Sequence, residues 1–184
     1  MSTSSSKADK TESFPPLLGT RAHTLILGTM PGQQSLKARE YYAHPRNAFW
    51  PIMLAIMANS KPSYESATAL PYAHRCQSLT SHGFAVWDVL ASCRRPGSLD
   101  SNIARDSEQP NAIADLLTRY PDLSCIGCNG RTAMKLFVRH IVPHLDQTLL
   151  QSIKLVDLPS SSPAMASLTL LQKHERWATA LEQL

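Results

Sequence analysis

TLILGTMPGQQSLKAREYYAHPRNAFWPIM, residues 24–53, decides how this chain folds. It opens on an apolar run, Leu25-Ile26-Leu27, cut off by Gly28. A run this short, closed by Gly and Pro, fits a buried strand better than a helix. Gly28-Thr29-Met30-Pro31-Gly32 forms a turn-rich loop at the strand's carboxyl end. The segment after it is dense in polar and aromatic groups: Glu40, Tyr41, Tyr42, His44, Arg46 and Asn47. Ala48 to about Ala58 reads as an amphipathic helix, with Phe49, Ile52, Met53, Ile56 and Met57 at helical spacing. Open α/β sheets bind ligands at the carboxyl ends of their strands, so the loop is where a site is expected.

The same alternation runs through the rest of the chain. Strands are expected at 84–90, 123–128 and 153–158, and helices at 111–119, 131–139 and 168–181. Residues 64–82 read as helix, broken or kinked near Pro71 and ended by His82-Gly83. Polar loops cover 92–109 and 159–165. Phe14-Pro15-Pro16-Leu17-Leu18 is an extended lead-in that suits a sheet edge. Residues 1–13, rich in Ser, Thr and Lys, read as a disordered tail, and 14–184 as a single domain. Strands alternating with helices predict an α/β fold: three layers, α/β/α, around a central, mostly parallel four-stranded sheet.

The 184 residues suffice for a sizeable core, and 43% hydrophobic content is ordinary for a globular protein. No apolar run is long enough to span a membrane, and residues 1–13 lack the apolar centre of a secretory signal. A cytoplasmic protein is expected, or a nuclear one if the source has a nucleus. The net charge of +4 favours an anionic partner. Lys37, Arg39, Arg46, Arg94, Arg95 and Arg131 fall near expected strand ends, where they suit a phosphate backbone or are ordinary solvated charges. Cys76, Cys93, Cys125 and Cys128 read as thiols. The Cys125–Cys128 spacing has no second pair and no His pair to complete a zinc site, so no metal is expected.

GTMPG followed by YYAHPRNAFW resembles the first motif of the uracil-DNA glycosylase superfamily, above all its hypoxanthine-DNA (DNA-deoxyinosine) glycosylase branch, with the mismatch-specific uracil/thymine enzymes next. GFAVWDVLASCRRPGSLD (83–100), CNGRTAMKLF (128–137) and LPSSSPAMA (158–166) are similar to later stretches of these enzymes in the same order. The resemblance spans about residues 22–183. It implies a monofunctional DNA glycosylase of base excision repair. Such an enzyme flips a deaminated base, hypoxanthine in deoxyinosine foremost, and hydrolyses its N-glycosidic bond. The expected substrate is double-stranded DNA with a damaged base; no cofactor is implied, and a monomer is expected.

The resemblance also assigns roles. Tyr42 sits where relatives place an aromatic that stacks on the flipped base; the alternative is that Tyr41 or Tyr42 anchors the loop in the core. Asn47 could read O6 and N1–H of hypoxanthine, position water, or cap the helix. Met30 replaces the Asn or Asp that handles water in other branches, which favours the hypoxanthine branch. Gly28, Met30, Pro31 and Gly32 are expected against the base, with backbone N–H groups available around Met30 and Gly32. His44 could donate to a phosphate or to the leaving purine, or buttress the loop. Asp88 could stabilise positive charge on the sugar or serve structure. Asn129-Gly130 suits a DNA phosphate or a plain tight turn. Ser160, Ser161 and Ser162 suit phosphates, and Pro163, Ala164 or Met165 would wedge into the base stack. Arg46 is expected on DNA. No Lys occupies a matched catalytic position, and Ser161 lies in no G-x-S-x-G elbow. Met30 also leaves open a non-catalytic module for damaged DNA, and a mismatch-specific uracil enzyme remains an alternative.

Overall fold

The computed structural model describes residues 10–182. In chain order the elements are β1 (Lys10–Glu12), β2 (Thr24–Gly28), α1 (Gln33–Ala38), α2 (Phe49–Met57), α3 (Tyr64–Ala69), α4 (Tyr72–Ser81), β3 (Phe84–Asp88), β4 (Leu90–Arg94), β5 (Gln109–Pro110), α5 (Ile113–Arg119), β6 (Cys125–Asn129), α6 (Arg131–His140), α7 (Gln147–Ser152), β7 (Lys154–Leu158) and α8 (Leu170–Glu182). The main sheet has the order β3-β2-β6-β7, and all its pairings are parallel.

Side chains alternate across the central strands, as the pleat requires. Leu25 and Leu27 enter one apolar layer with Ile113, Leu116, Leu136 and Phe137 of α5 and α6. Ile26 points the other way, into a layer built by Phe49, Ile52, Met53, Leu79 and Trp177 of α2, α4 and α8. Helices cover both faces, and the expected three-layer α/β/α architecture is what the chain forms. Because β2 and β6 are buried on both sides, they read as continuous apolar runs rather than alternating ones.

Several expectations are corrected. The strand foreseen at 84–90 stops at Asp88, and Leu90–Arg94 forms a separate strand of a small antiparallel sheet, β1-β4-β5. Residues 10–13, foreseen as tail, are ordered: Lys10, Thr11 and Glu12 pair with Arg94, Cys93 and Ser92. The rest of the expected tail, residues 1–9, lies outside the described residues. The break foreseen near Pro71 is present, so 64–82 forms two helices. Leu70, held extended by the following Pro71, separates them. Helices α1 and α7 were not foreseen; at six residues each they are too short to show a helical period. The lead-in at 14–18 does meet the sheet edge, where Leu17 bridges to Val86 of β3. Among the described residues no helix is long and apolar enough to cross a membrane.

Candidate active site

A cavity of about 450 Å³ opens where β2, β3 and β6 end, within the size range of ligand sites. Its walls are the loop after β2, the segment leading into α2, and the loop after β7. Of the residues to which the resemblance assigns a role at the site, all but Arg46 and Gly130 line it.

Gly28 is the closest approach. A Cβ there would stand 2.5 Å from Asp88 Oδ1 and 3.0 Å from the Tyr42 hydroxyl, so any side chain would have to displace them. Met30 is buried, packs into the α5–α6 layer and gives the cavity an apolar patch. The N–H groups of Met30 and Gly32 make no hydrogen bond among the described residues, so both remain available to a ligand.

The two tyrosines are placed differently. Tyr41 is the core anchor: it is buried, and its hydroxyl donates to the Phe14 and Pro15 carbonyls. Tyr42 lines the cavity in a left-handed conformation, φ 56°. Such a backbone costs a non-glycine residue about 1–3 kcal/mol and marks a place where the surroundings dictate geometry. One face of its ring stacks on Phe49, centroids 4.0 Å apart. Its hydroxyl is buried near the Asn129 amide without a hydrogen bond of normal geometry, and burial, with Asp88 nearby, pushes the phenol far above its ordinary range.

Asn47 and His44 are each committed on one side. Asn47 Oδ1 accepts the Phe49 N–H at 2.9 Å, so it satisfies the first N–H of α2 from one residue ahead of the N-cap, which is Ala48. This leaves Nδ2 as the group it offers the cavity, so the two-pronged base reading narrows to a donor. His44 Nδ1 accepts the Arg46 N–H at 3.1 Å. A neutral imidazole then carries its proton on Nε2 and is also a donor.

Asp88 ends β3 with its side chain buried against the cavity. Oδ2 accepts from the Ser13 hydroxyl at 2.7 Å, and its backbone carbonyl accepts from Asn111 Nδ2 at 2.8 Å. Burial pushes its carboxyl up to about 7; Asp100 adds to the rise, while Ser13 and Arg95 oppose it.

Four expected DNA ligands turn inward. Arg95 is fully buried: it donates to the Pro31 carbonyl and reaches Asp100 at 3.5 Å, so it braces the cavity loop from within. Burial raises the Asp100 carboxyl, with the Thr29 hydroxyl and Arg95 opposing. Asn129 and Ser161 form a two-bond clamp, Asn129 Nδ2 to Ser161 Oγ and Ser161 N–H to Asn129 Oδ1, both 2.8 Å. The Ser161 carbonyl then accepts the Ala48 N–H at 2.9 Å, joining the last loop to α2. The Gly130 N–H is taken by the Cys128 and Leu158 carbonyls, 2.9 Å each. Through these bonds Asn129, Gly130 and Ser161 act as struts of the site. Arg94, also foreseen as DNA-facing, pairs with Asp106.

Ser160 Oγ accepts the Ser162 N–H and Ser162 Oγ accepts the Ala164 N–H, each at 3.2 Å, so these serines shape the loop that carries Pro163, Ala164 and Met165. Buried Lys173 supports it from behind through the Ser162 carbonyl at 3.1 Å. A second cleft shares Ser160 and Met165 with the cavity and adds Arg131 and Arg176, with Asp157 at its side. Arg46, Arg131 and Arg176 are exposed. Ser13, Asp100 and Arg176 were missed in the sequence; each is an ordinary polar residue whose neighbours are set only by the fold. Cys125 and Cys128 belong to opposite core layers, so the CxxC thiols do not face one another.

With this geometry in view, residues 15–184 match the family model described as the uracil DNA glycosylase superfamily. The chain belongs to that superfamily. It is 30% identical to a protein named hypoxanthine DNA glycosylase from Methanosarcina barkeri over 122 residues, 66% of this chain and 72% of the relative. A protein of the same name from Methanosarcina acetivorans is 31% identical over 120 residues, 65% of this chain and 71% of the relative. The fold is similar to the solution NMR structure of a candidate uracil DNA glycosylase from Methanosarcina acetivorans, with a TM-score of 0.74 and 25% identity. That likeness covers 95% of this chain and 98% of the other.

Proposed function

We propose that this superfamily member is a monofunctional DNA glycosylase. It takes a deaminated base from duplex DNA into the cavity and hydrolyses its N-glycosidic bond, leaving an abasic site. Hypoxanthine in deoxyinosine is the preferred base. The observation that carries this reading is the donor set beside an apolar patch: Asn47 and His44 each have their acceptor engaged within the protein, next to buried Met30. Hypoxanthine offers acceptors at O6 and N7. A donor on either draws electron density from the purine as the C1′–N9 bond lengthens, which makes it a better leaving group. Tyr42, rigidly backed by Phe49, supplies a stacking surface worth roughly 1–3 kcal/mol per base. The exposed Arg46, Arg131 and Arg176 suit the flanking phosphates. The names of the two curated relatives support the same substrate.

The test uses duplex oligonucleotides with a single deoxyinosine, deoxyuridine or deoxyxanthosine. Strand breakage at deoxyinosine only after alkali is the expected result. Breakage before alkali would indicate lyase chemistry, and preference for deoxyuridine would replace the substrate. Binding without excision of any base would leave a recognition module.

A further inference from the structure

The family match begins at residue 15, so Ser13 lies outside it. Ser13 nevertheless reaches the cavity wall. Its N–H donates to the Ala91 carbonyl at 2.8 Å, which fixes the segment after β1 on β4. Its hydroxyl donates to Asp88 Oδ2 at 2.7 Å. The other carboxylate oxygen, Oδ1, lies over Gly28, where the absence of a side chain makes room for it. Asp88 thus has one oxygen tethered and one on the cavity side, at the carboxyl end of a central-sheet strand. The hydrolysis proposed above needs a group to handle water, and Met30 offers none.

The geometry points to Asp88 as the base that takes a proton from the attacking water, and to Ser13 as the residue that positions its carboxylate. This rests on the glycosylase reading. The C1′–N9 bond breaks with its electron pair leaving on the base. The water oxygen bonds to C1′, and one water proton passes to Asp88 and on to solvent. The departing base takes up a proton from solvent. Charged groups around Asp88 act in both directions: Asp100 disfavours its ionisation and Arg95 favours it. The phenols of Tyr41 and Tyr42 border it and stay neutral. Burial pushes the Asp88 carboxyl up to about 7, towards the pH at which a general base works well.

The experiment is the single-turnover excision rate against pH for wild type, Ser13→Ala and Ser13→Thr. The wild-type rate is expected to rise with pH to a plateau. Losing a hydrogen bond to a charged group should move the Ser13→Ala limb up by about one pH unit, so the rate falls about tenfold below it. The plateau should survive, and Ser13→Thr should restore the limb. A uniform loss at every pH would mean a structural role only, and an unchanged profile would remove Ser13 from the mechanism; either overturns the proposal. NMR titration of the Asp88 carboxyl in the free protein separates the two readings. If Ser13→Ala moves that titration but wild type excises no base, the glycosylase reading has failed and the base role with it.

Discussion

Asn47 commits its carbonyl oxygen to the Phe49 N–H, and that one bond determines what its amide can do in the cavity. Asn47→Asp keeps an acceptor for that N–H and removes the donor. Its thermal midpoint should stay close to wild type while the excision rate drops about 100-fold or more, the usual loss for a donor at a reacting group. Asn47→Ala should lose the same activity and about 1 kcal/mol of stability with the hydrogen bond to the Phe49 N–H. Calorimetry and single-turnover kinetics on both variants check this; an active Asp variant would remove the donor role. At Gly28 the constraint is spatial. A methyl group would meet Asp88 Oδ1 at 2.5 Å and the Tyr42 hydroxyl at 3.0 Å. Gly28→Ala should cost about 1–3 kcal/mol in a urea melt, as overpacking does, and excision should be lost with the displaced carboxylate. The importance of Gly28 was legible in the sequence, because Gly ends an apolar run there. A capping role for Asn47 was weighed but not decided, since a preferred capping residue can also face a ligand.

The last loop depends on the Asn129–Ser161 clamp for its place against α2. Ser161→Ala leaves the Asn129 amide without its acceptor inside the protein. About 1–3 kcal/mol of stability should be lost on denaturant unfolding. The loop carrying Pro163 to Met165 should also bind duplex less well, seen as a larger rise in KM than fall in kcat; an unchanged KM would detach the loop from DNA. Long elements such as α2, α6 and α8 were readable because apolar residues recur at helical spacing. The six-residue α1 and α7 were not, because so short a helix gets its stability from packing against the rest of the protein. β4 was hidden for a related reason: it follows β3 after a single residue, so the two read as one apolar run that enters loop.

Across the whole molecule, the buried carboxyl sets a pH dependence of stability. Asp88 is raised from 3.8 to about 7 in the folded protein, so over that window the folded state holds a proton that the unfolded chain releases. Stability should therefore fall as pH rises through the window and level off above it; Asp100, also raised, acts with the same sign. Asp88→Asn should melt higher than wild type at about pH 8, with the difference fading towards about pH 4, as thermal scans would show. A stability maximum near neutrality caused by this residue would contradict the burial argument. The sequence by itself determined the alternating architecture, the strand 24–28 with its loop, and the superfamily, because local periodicity and motif spacing record how each stretch is buried and turned. Only the tertiary structure decided that Ser13 meets Asp88 across 75 residues, that Arg95 turns inward, and that Asn129, Gly130 and Ser161 hold the site together. Those pairings arise when distant segments close on each other, and no short-range pattern specifies which donor then finds which acceptor.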